Sequence, residues 1–266
     1  MLPDFEMITH QMYGGHDITI IPISDVHLGS PECMEQEFIA FCKQLKDTPN
    51  TYVLLLGDLI DNGLKTSLTN CYKATMSPSI QKREMANILE PIKDRILCFV
   101  PGNHEARSRK DCDDDPCYDI AVKLDREDLY RENIAFIKIQ MGEERGDNGA
   151  GNGYARPTYV LTVVHGNGGG ILYGGAVNNA TRYGYVIDGT DVLVLGHTHK
   201  PYTTQPGKIF IDPRNNKISI KPFKIVSSTS WLKYGGYAAQ KMLLPSTHCL
   251  NRITLSGKSK EILVTM

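Results

Sequence analysis

The sequence lacks the features that define several large classes of protein. It has seven cysteines, an odd number, and no C-x-x-C pair, so neither a disulfide framework nor a zinc knuckle is indicated. Its longest apolar runs, such as 53–56 and 192–195, are strand-sized and too short to span a bilayer. Residues 1–11 lack the basic start of a signal peptide. Together these absences predict a soluble cytoplasmic protein with no membrane attachment.

A strong charge of one sign is also absent, since the 266 residues carry a formal net charge of −1. This total hides a split along the chain. Residues 201–266 contain ten Lys/Arg and two Asp/Glu, a balance of +8, which leaves −9 for residues 1–200. Asymmetry of this kind can mark an anion-binding face. It also has a plain alternative, because exposed strands often carry lysine that blocks edge pairing.

What is present is the pattern of an α/β fold, with 41% hydrophobic residues to fill a core. Apolar, β-branched runs alternate with helical patterns over the first 200 residues, which indicates βαβ units. The predicted strands there are 18–24, 52–56, 96–100, 134–141, 158–165 and 192–195, and the predicted helices are 34–46, 79–93, 115–130 and 171–183. After Gly196 the pattern predicts an antiparallel meander of strands 208–212, 217–221, 224–230, 249–255 and 261–265, with a hairpin turn at Asn215-Asn216. A glycine-rich loop is expected at 142–153. We predict one domain over residues 1–266, with the C-terminal strands, about 207–266, as part of it.

Polar residues follow five of these predicted strands, each beside a glycine. The segments are Asp25-Val26-His27, Gly57-Asp58-Leu59-Ile60-Asp61, Gly102-Asn103-His104-Glu105, His165-Gly166 and Gly196-His197-Thr198-His199. Ligands bind at the carboxyl ends of strands in open α/β sheets. We therefore expect these segments to converge on one site.

The residue types in these segments suit metal ions. Asp25 with His27, and His197 with His199, are spaced to chelate one ion each, and carboxylate, imidazole and amide oxygens together suit Mn, Fe, Zn or Ni, with Mg less favoured. Seven candidate ligands are too many for one ion: Asp25, His27, Asp58, Asn103, His165, His197 and His199. They fit two ions that share one carboxylate, an arrangement that clamps the attacking and leaving oxygens of a phosphoryl displacement. A hydroxide bridging the ions would be the nucleophile. Each motif alone could be a turn or a satisfied polar pair, but the set of five in this order is specific.

The five motifs resemble those of the calcineurin-like metallophosphoesterase superfamily over about residues 18–230. The resemblance implies a four-layer α/β/β/α sandwich with mixed sheets and a two-metal site, with Mn²⁺ the most favoured ion. It assigns Asp25, His27 and His199 to the first metal, Asp58 to the bridge, and Asn103, His165 and His197 to the second metal. His104 resembles the catalytic acid of the family, which protonates the leaving oxygen or stabilises the transition state, and Asp61 would hydrogen-bond His104 and keep it charged.

The motifs resemble more than one branch of the superfamily. The segment from Ser24 to Gly29 resembles the DNA-repair nucleases, whereas Gly102-Asn103-His104-Glu105 resembles the serine/threonine phosphoprotein phosphatases. Those phosphatases normally have Arg-Gly after the second Asp, and here Asn62-Gly63 follows Asp61, which removes a phosphate-clamping fork. The glycine-rich stretch 165–170 resembles stand-alone phage and prophage members.

Five further residues are candidates for contact with substrate. Arg107 and Arg109 could bind flanking phosphates, although neighbouring aspartates favour a solvated loop. Gly168 could bring its amide to a phosphate or simply form a turn. Tyr234 and Tyr237 lie beside Trp231 in a lysine- and glycine-containing segment and could stack on bases, whereas Trp231 is expected in the core.

These observations predict a two-metal hydrolase of phosphate esters, specifically a phosphodiesterase or nuclease acting on nucleic acid or a nucleotide. The alternatives are a phosphoprotein phosphatase, a small or cyclic nucleotide phosphodiesterase, and a non-enzymatic scaffold of the same fold, which the filled ligand positions disfavour. No capping or coiled-coil domain is evident, so long-range DNA engagement is expected to need a partner or a homodimer.

Overall fold

A computed structural model describes residues 3–67, 71–142, 157–168 and 171–266, with only the backbone of Pro3 and Tyr237. Its strands are β1 Ile8–Met12, β2 Ile18–Ile23, β3 Thr51–Leu55, β4 Ile96–Phe99, β5 Ile134–Met141, β6 Thr158–Val164, β7 Val192–Leu195, β8 Tyr202–Thr204, β9 Gly207–Asp212, β10 Lys217–Pro222, β11 Lys224–Ser227, β12 Arg252–Leu255 and β13 Ile262–Thr265. Its helices are α1 Glu35–Lys46, α2 Pro78–Leu89, α3 Asn103–Cys112, α4 Pro116–Lys123, α5 Tyr173–Val186 and α6 Gly236–Gln240.

Two mixed sheets form the middle of the fold. One has the order β1-β5-β6-β7-β11-β8 and the other the order β13-β12-β2-β3-β4, while β9 and β10 pair only with each other. Strands β2, β3 and β4 are parallel, as are β6, β7 and β11. Nearly every residue of β2, β3, β4 and β7 is buried, as expected for strands covered on both faces.

A single core joins the two sheets, since one cluster of buried side chains includes Ile20 of β2 together with Leu161 of β6 and Val194 of β7. Helices α1, α2 and α4 pack on the outer face of the five-stranded sheet. Helix α5 packs on the six-stranded sheet through Ala176 and Ala180. The predicted four-layer α/β/β/α sandwich with mixed sheets is therefore confirmed.

Local sequence signals explain several elements. Helix α1 buries Phe38, Cys42 and Leu45 at helical spacing. Helix α4 begins as predicted, because the Asp115 side chain accepts hydrogen bonds from the Cys117 and Tyr118 N–H groups and Pro116 occupies the first turn. This helix ends at Lys123 and a separate short 3-10 turn comes after it, so the predicted helix reaching Tyr130 is too long.

Several sequence predictions need correction. Residues 103–112 form helix α3, where a solvated loop was expected after His104. The last strands do not form one meander: β11 joins β7 in parallel, whereas β12 pairs with β2 in the other sheet. The predicted loop 142–153 lies almost wholly outside the described residues, as do Gly169 and Gly170.

Candidate metal centre

The five polar segments meet at one edge of the sandwich. They follow β2, β3 and β4 of one sheet and β6 and β7 of the other, and the carboxyl ends of these parallel strands point the same way within each sheet. Backbone hydrogen bonds connect the segments directly, for example from the Asp25 N–H to the Gly57 carbonyl at 3.0 Å and from the Gly196 N–H to the His165 carbonyl at 2.9 Å.

The backbone of this edge is unusual. Five candidate ligands have a left-handed backbone, with φ of 55° at Asp25, 50° at His27, 50° at Asp58, 64° at His197 and 56° at His199. Each such residue costs on the order of 1 kcal/mol or more, and such strain concentrates at functional sites. The conformation turns the chain sharply after each strand and presents the side chain to the site.

Gly57 allows two of these segments to approach closely. Its φ is +84°, and a Cβ placed there would lie 2.1 Å from the backbone nitrogen of Gly102. No other residue fits without moving the segment that carries Asn103 and His104. The glycine next to Asp58 is therefore required by geometry.

Asp25, His27 and His199 form the first cluster of donors. The Nε2 atom of His199 lies 3.1 Å from Oδ1 of Asp25 and 3.4 Å from Nε2 of His27. The other carboxylate oxygen of Asp25 accepts hydrogen bonds from the Ser24 hydroxyl and from the His197 N–H, the latter at 2.9 Å. This anchoring leaves Oδ1 of Asp25 facing the two imidazoles.

Asn103, His165 and His197 surround the second position. Oδ1 of Asn103 lies 2.8 Å from Nδ1 of His197 and 3.1 Å from Nε2 of His165, and these two nitrogens are 3.2 Å apart. The Nδ1–H of His165 donates to the Leu56 carbonyl at 2.6 Å. That hydrogen bond fixes the ring so that Nε2 faces the site.

Asp58 stands between the two clusters. Its Oδ2 atom lies 3.4 Å from Nε2 of His165 and 3.9 Å from Nε2 of His27. Its Oδ1 atom accepts a hydrogen bond from the backbone N–H of His104. One carboxylate oxygen is thus held by the backbone while the other faces both clusters.

Electrostatics at the site follow from burial opposed by neighbouring charges. Burial alone would raise the pKa of Asp25 and Asp58, but the neighbouring His199 and His165 hold both below the ordinary value. Burial alone would lower the pKa of His165, but the Asp58 carboxylate raises it to about 10. The pKa of His27 is well below normal because of burial and the nearby His104.

The donor set fits divalent cations. Oδ1 of Asp25 faces this cluster, is buried and has no hydrogen-bond partner among the described residues, and such an orphaned polar atom is costly unless another group satisfies it. Bonds of about 2.0–2.2 Å to one ion place neighbouring ligand atoms roughly 3–3.5 Å apart, which matches the nitrogen–nitrogen separations above. The His and Asp side chains are thus positioned to bind metal.

His104 lies beside the ligands, with its ring centroid 4.3 Å from that of His27. Its Nδ1–H donates to the backbone carbonyl of Asp61 at 2.6 Å, whereas the Asp61 carboxylate Oδ1 is 3.6 Å away. The predicted contact between the two residues therefore exists, but its acceptor is the main chain. The carboxylate lies too far for a hydrogen bond, and its pKa is raised by burial.

Sequence reasoning missed the role of Glu105. Its buried carboxylate accepts hydrogen bonds from the N–H groups of Asp58 at 2.9 Å, Leu59 at 2.8 Å and Gly102 at 2.9 Å. It therefore fixes the Asp58 segment against the start of α3. Gly102 has no side chain that could complete a capping box with Glu105, so the sequence lacks the Ser/Thr-x-x-Glu signal that would have pointed to this role.

Asn62 was also missed as a structural residue. It is fully buried, and its Nδ2 donates to the His104 carbonyl at 2.7 Å and to Oγ of Ser108 at 2.8 Å. Its own N–H donates to the Gln81 side chain at 2.9 Å. Asn62 thus connects the second motif to α3.

The two arginines proposed to contact substrate lie in different surroundings. Arg107 lies near the site, where its Nη1 is 3.5 Å from the Asp61 carbonyl. Arg109 does not serve there: it forms ion pairs with Glu132 at 2.6 Å and Asp115 at 3.0 Å, so it stabilises the fold instead.

The tyrosine segment also differs from expectation in part. Trp231 is in the core against Phe38, as expected, and its backbone N–H donates to the Asp25 carbonyl at 3.0 Å. Tyr234 is half-exposed and its hydroxyl donates to the Leu243 carbonyl. The side chain of Tyr237 lies outside the described residues.

A cavity of about 630 Å³ lies beside the metal centre, between α5 and the six-stranded sheet. Gly166 and Thr198 border it and are adjacent in the chain to His165 and to His197 and His199. Gly168, which has φ +61°, also lies on this cavity. The remaining lining is apolar with a few polar groups, including Asn167, Asn179, Arg182 and Tyr183. This combination is typical of small-molecule pockets.

Much of the basic C-terminal part lies away from the metal centre. Strand β8 runs antiparallel to β11, and Lys224 at the start of β11 pairs with Val192 at the start of β7. The hairpin β9–β10 therefore leaves the sheet at the end opposite His197, and Lys260 pairs there with Asp191 at 2.8 Å. Seven of the ten basic residues lie at this end: Lys208, Arg214, Lys217, Lys221, Lys224, Lys258 and Lys260. Of the two interpretations of the basic excess, an anion-binding face at the site therefore does not apply to these seven residues. In the described part of the chain, no helix has the length and apolar character needed to cross a membrane.

Comparison with known proteins agrees with this geometry. Residues 18–201 match the model of the family described as Calcineurin-like phosphoesterase. A curated relative, the DNA polymerase II small subunit of Pyrococcus furiosus, is 33% identical over 101 aligned positions that cover 32% of this chain and only 16% of that protein.

Two solved structures are similar at low identity. A metallophosphoesterase from Sphaerobacter thermophilus aligns with a TM-score of 0.40 and 15% identity, covering 93% of this chain and 87% of that one. The calcineurin-like phosphoesterase YfkN from Bacillus subtilis aligns with a TM-score of 0.37 and 12% identity, covering 90% and 85%.

Proposed function

Because the chain belongs to the calcineurin-like phosphoesterase family, it is a metal-dependent phosphoester hydrolase, and we propose that its substrates are phosphodiesters of nucleic acid. The observation that carries the two-ion chemistry of this proposal is the position of Asp58, which faces both donor clusters through one oxygen. The seven ligand candidates are proposed to hold two divalent ions, with Mn²⁺ favoured by the mixed imidazole and carboxylate donors. Such ions, when bound, polarise the phosphoryl oxygens and lower the pKa of water.

The side chains around the ions have separate tasks in this proposal. Asp58 sets the spacing of the two donor clusters, and Glu105 holds Asp58 in place through the backbone. His104 has its Nδ1–H committed to the Asp61 carbonyl, so Nε2 is the atom that can give a proton to the leaving oxygen. Arg107 is proposed to contact a flanking phosphate.

The residue after Asp61 favours a phosphodiester over a monoester. A monoester dianion carries more negative charge than a diester and is commonly clamped by an arginine fork. Here the position holds Asn62, whose amide is committed to the His104 carbonyl and Ser108. Glu105 is the residue that makes the third motif resemble the phosphatases. Its carboxylate binds backbone amides and does not reach toward substrate. The name of the curated relative, a DNA polymerase subunit, adds support for nucleic acid.

A second candidate substrate is a small nucleotide diester. The cavity of about 630 Å³ beside Gly166 and Thr198 is within the usual size range of ligand pockets, about 300–1,000 Å³. The seven basic residues at the far end of the strands give no track for a long polyanion at the site. These two observations favour a compact substrate.

Hydrolysis assays on the Mn²⁺-loaded protein test the proposal. Bis(p-nitrophenyl) phosphate should be cleaved with a higher kcat/KM than p-nitrophenyl phosphate, and single- or double-stranded DNA should be degraded. Asp58→Asn protein, purified in parallel, controls for contaminating nucleases. Cleavage of cyclic or linear dinucleotides without cleavage of DNA would favour the second candidate. Preference for the monoester, or for a phosphopeptide, would overturn both.

A further inference from the structure

The hairpin formed by β9 and β10 is the least covered part of the described fold. Its two strands pair only with each other, and ten of their twelve residues are exposed. It projects from the end of the sandwich opposite the metal centre, between β8 and β11. An isolated two-stranded hairpin is marginally stable in water, so this element is expected to gain stability from contact with something else.

One face of the hairpin is made of isoleucine. The register pairs Ile209 with Ile220 and Ile211 with Ile218, which places all four side chains on the same face. Their exposed fractions are 76%, 74%, 66% and 74% respectively. The opposite face carries the charge, with Lys208, Lys217 and Lys221; Nζ of Lys221 lies over the Phe210 ring at 3.1 Å. The hairpin is thus amphipathic, because one face is formed by isoleucines and the other face carries the lysines.

The isoleucine face has the size of an interaction site. Four side chains at this exposure leave roughly 300–400 Å² of apolar surface in one patch. Ile220 also borders a groove of about 450 Å³ whose other wall includes Ile262 of β13. Lys221, Lys224 and Lys260 also line this groove, so the apolar patch ends at the hairpin.

We propose that this face binds the same face of a second copy of the chain. An anionic partner would be drawn to the lysines, which point away from the isoleucines, so the partner that fits this face must itself be apolar and uncharged. The isoleucine face of a second hairpin meets both conditions and matches it in size. A two-fold axis between the hairpins brings Ile209, Ile211, Ile218 and Ile220 against their equivalents and leaves the lysines of both copies in solvent.

The surface area buried between the two hairpins sets the expected affinity of the dimer. The two faces together bury roughly 600–800 Å² of isoleucine surface. Stable interfaces bury about 1,200–2,000 Å² in total. The dimer is therefore concentration-dependent, and it forms without any contribution from the metal centre.

Sedimentation equilibrium of the full chain at protein concentrations from about 1 to 200 µM tests the proposal. The weight-average mass of the wild type should rise from 29.6 kDa toward twice that value. The pair Ile211→Thr/Ile218→Thr keeps β-branched side chains but removes the apolar surface, and it should remain at 29.6 kDa. Ile209→Thr/Ile220→Thr should behave in the same way. Lys217→Thr, on the opposite face of the same strand, is the matched control and should dimerise like the wild type.

Circular dichroism checks that each variant remains folded, and hydrolysis rates should be unchanged because the hairpin is remote from the metal centre. A wild type that stays at 29.6 kDa throughout would overturn the proposal. Equal dimerisation of both isoleucine variants would do the same. A monomeric wild type that co-sediments with phosphatidylglycerol vesicles would assign the face to a membrane surface instead.

Discussion

The backbone N–H of His104 donates a 2.8 Å hydrogen bond to Oδ1 of Asp58. This bond links the candidate bridging ligand to the residue proposed as the catalytic acid, across the close approach of two strand ends. It also determines which oxygen of Asp58 faces the donors, since Oδ2 is left 3.4 Å from His165 and 3.9 Å from His27. A change at Asp58 should therefore affect the whole centre, whereas a change of the His104 side chain leaves this backbone bond in place.

Replacing Asp58 with asparagine removes the charge that the two donor clusters share. We expect metal content to fall from two ions per chain to one or none, and kcat/KM to fall on the order of 100-fold or more. Elemental analysis after gel filtration and a diester hydrolysis assay measure these effects. Asp188→Asn, at an exposed turn, is the control and should match the wild type. Full metal content and activity in Asp58→Asn would contradict the bridging role.

Replacing His104 with alanine should leave metal content at two ions but lower kcat roughly 10²- to 10⁴-fold on a nucleotide diester, whose alkoxide leaving group needs a proton. The loss should be much smaller with bis(p-nitrophenyl) phosphate, because nitrophenolate leaves without protonation. Comparing the two substrates separates a lost acid from a disturbed site. An equal loss on both would argue that His104 is structural.

Glu105→Gln tests the proposal that Glu105 positions Asp58 through hydrogen bonds to the backbone and does not contact substrate. The two carboxylate oxygens accept hydrogen bonds from the N–H groups of Asp58, Leu59 and Gly102. The glutamine amide has only one oxygen that can accept, because its NH2 group is a donor. We expect a loss of about 2 kcal/mol in the free energy of unfolding of the metal-free protein, measured by urea denaturation. Activity should fall through kcat while KM for the diester changes little. Unchanged stability would refute the positioning role.

Metal affinity should rise with pH. The pKa of His165 is about 10, because the Asp58 carboxylate outweighs the effect of burial, and the pKa of His199 is also raised beside Asp25. His165 is therefore protonated at pH 7 in the metal-free protein and must lose its proton to bind an ion. Affinity should increase between pH 6 and 8 by roughly tenfold per unit for each proton released.

Competition with a chelator at several pH values measures this dependence, and a pH indicator in weak buffer counts the protons released. Asp25 and Asp58, whose pKa values are held low, should contribute none. A metal affinity that is flat between pH 6 and 8 would show that the imidazoles are neutral before binding.

The strands that carry the site were predictable from sequence because they are short, apolar and β-branched. Strand β5 was predicted at its observed bounds, and β2 and β3 to within one residue at each end. Helix α3 was not, since its buried residues are His104, Glu105 and Ser108 and no apolar face marks it. Strand β1 was missed because its two outermost residues are its only buried ones.

The site was predictable to the extent that it lies at strand ends. Asp25, Asp58 and His165 could be expected to converge because parallel strands end at one edge. The roles of Glu105 and Asn62 depend on contacts across the Gly57–Gly102 approach, which no linear spacing reveals. The end of the sheet at which the basic residues lie also depends on topology, because β8 runs antiparallel to β11 and carries the chain away from the metal centre.

The proposed function requires one carboxylate, that of Asp58, to serve two ions in a diester hydrolase. The most direct test is a titration of the metal-free protein with Mn²⁺ while the rate of bis(p-nitrophenyl) phosphate hydrolysis is measured. We expect the rate to stay low through the first equivalent and to rise to a plateau at two ions per chain. A plateau at one ion, or no hydrolysis at any metal concentration, would contradict the two-ion assignment.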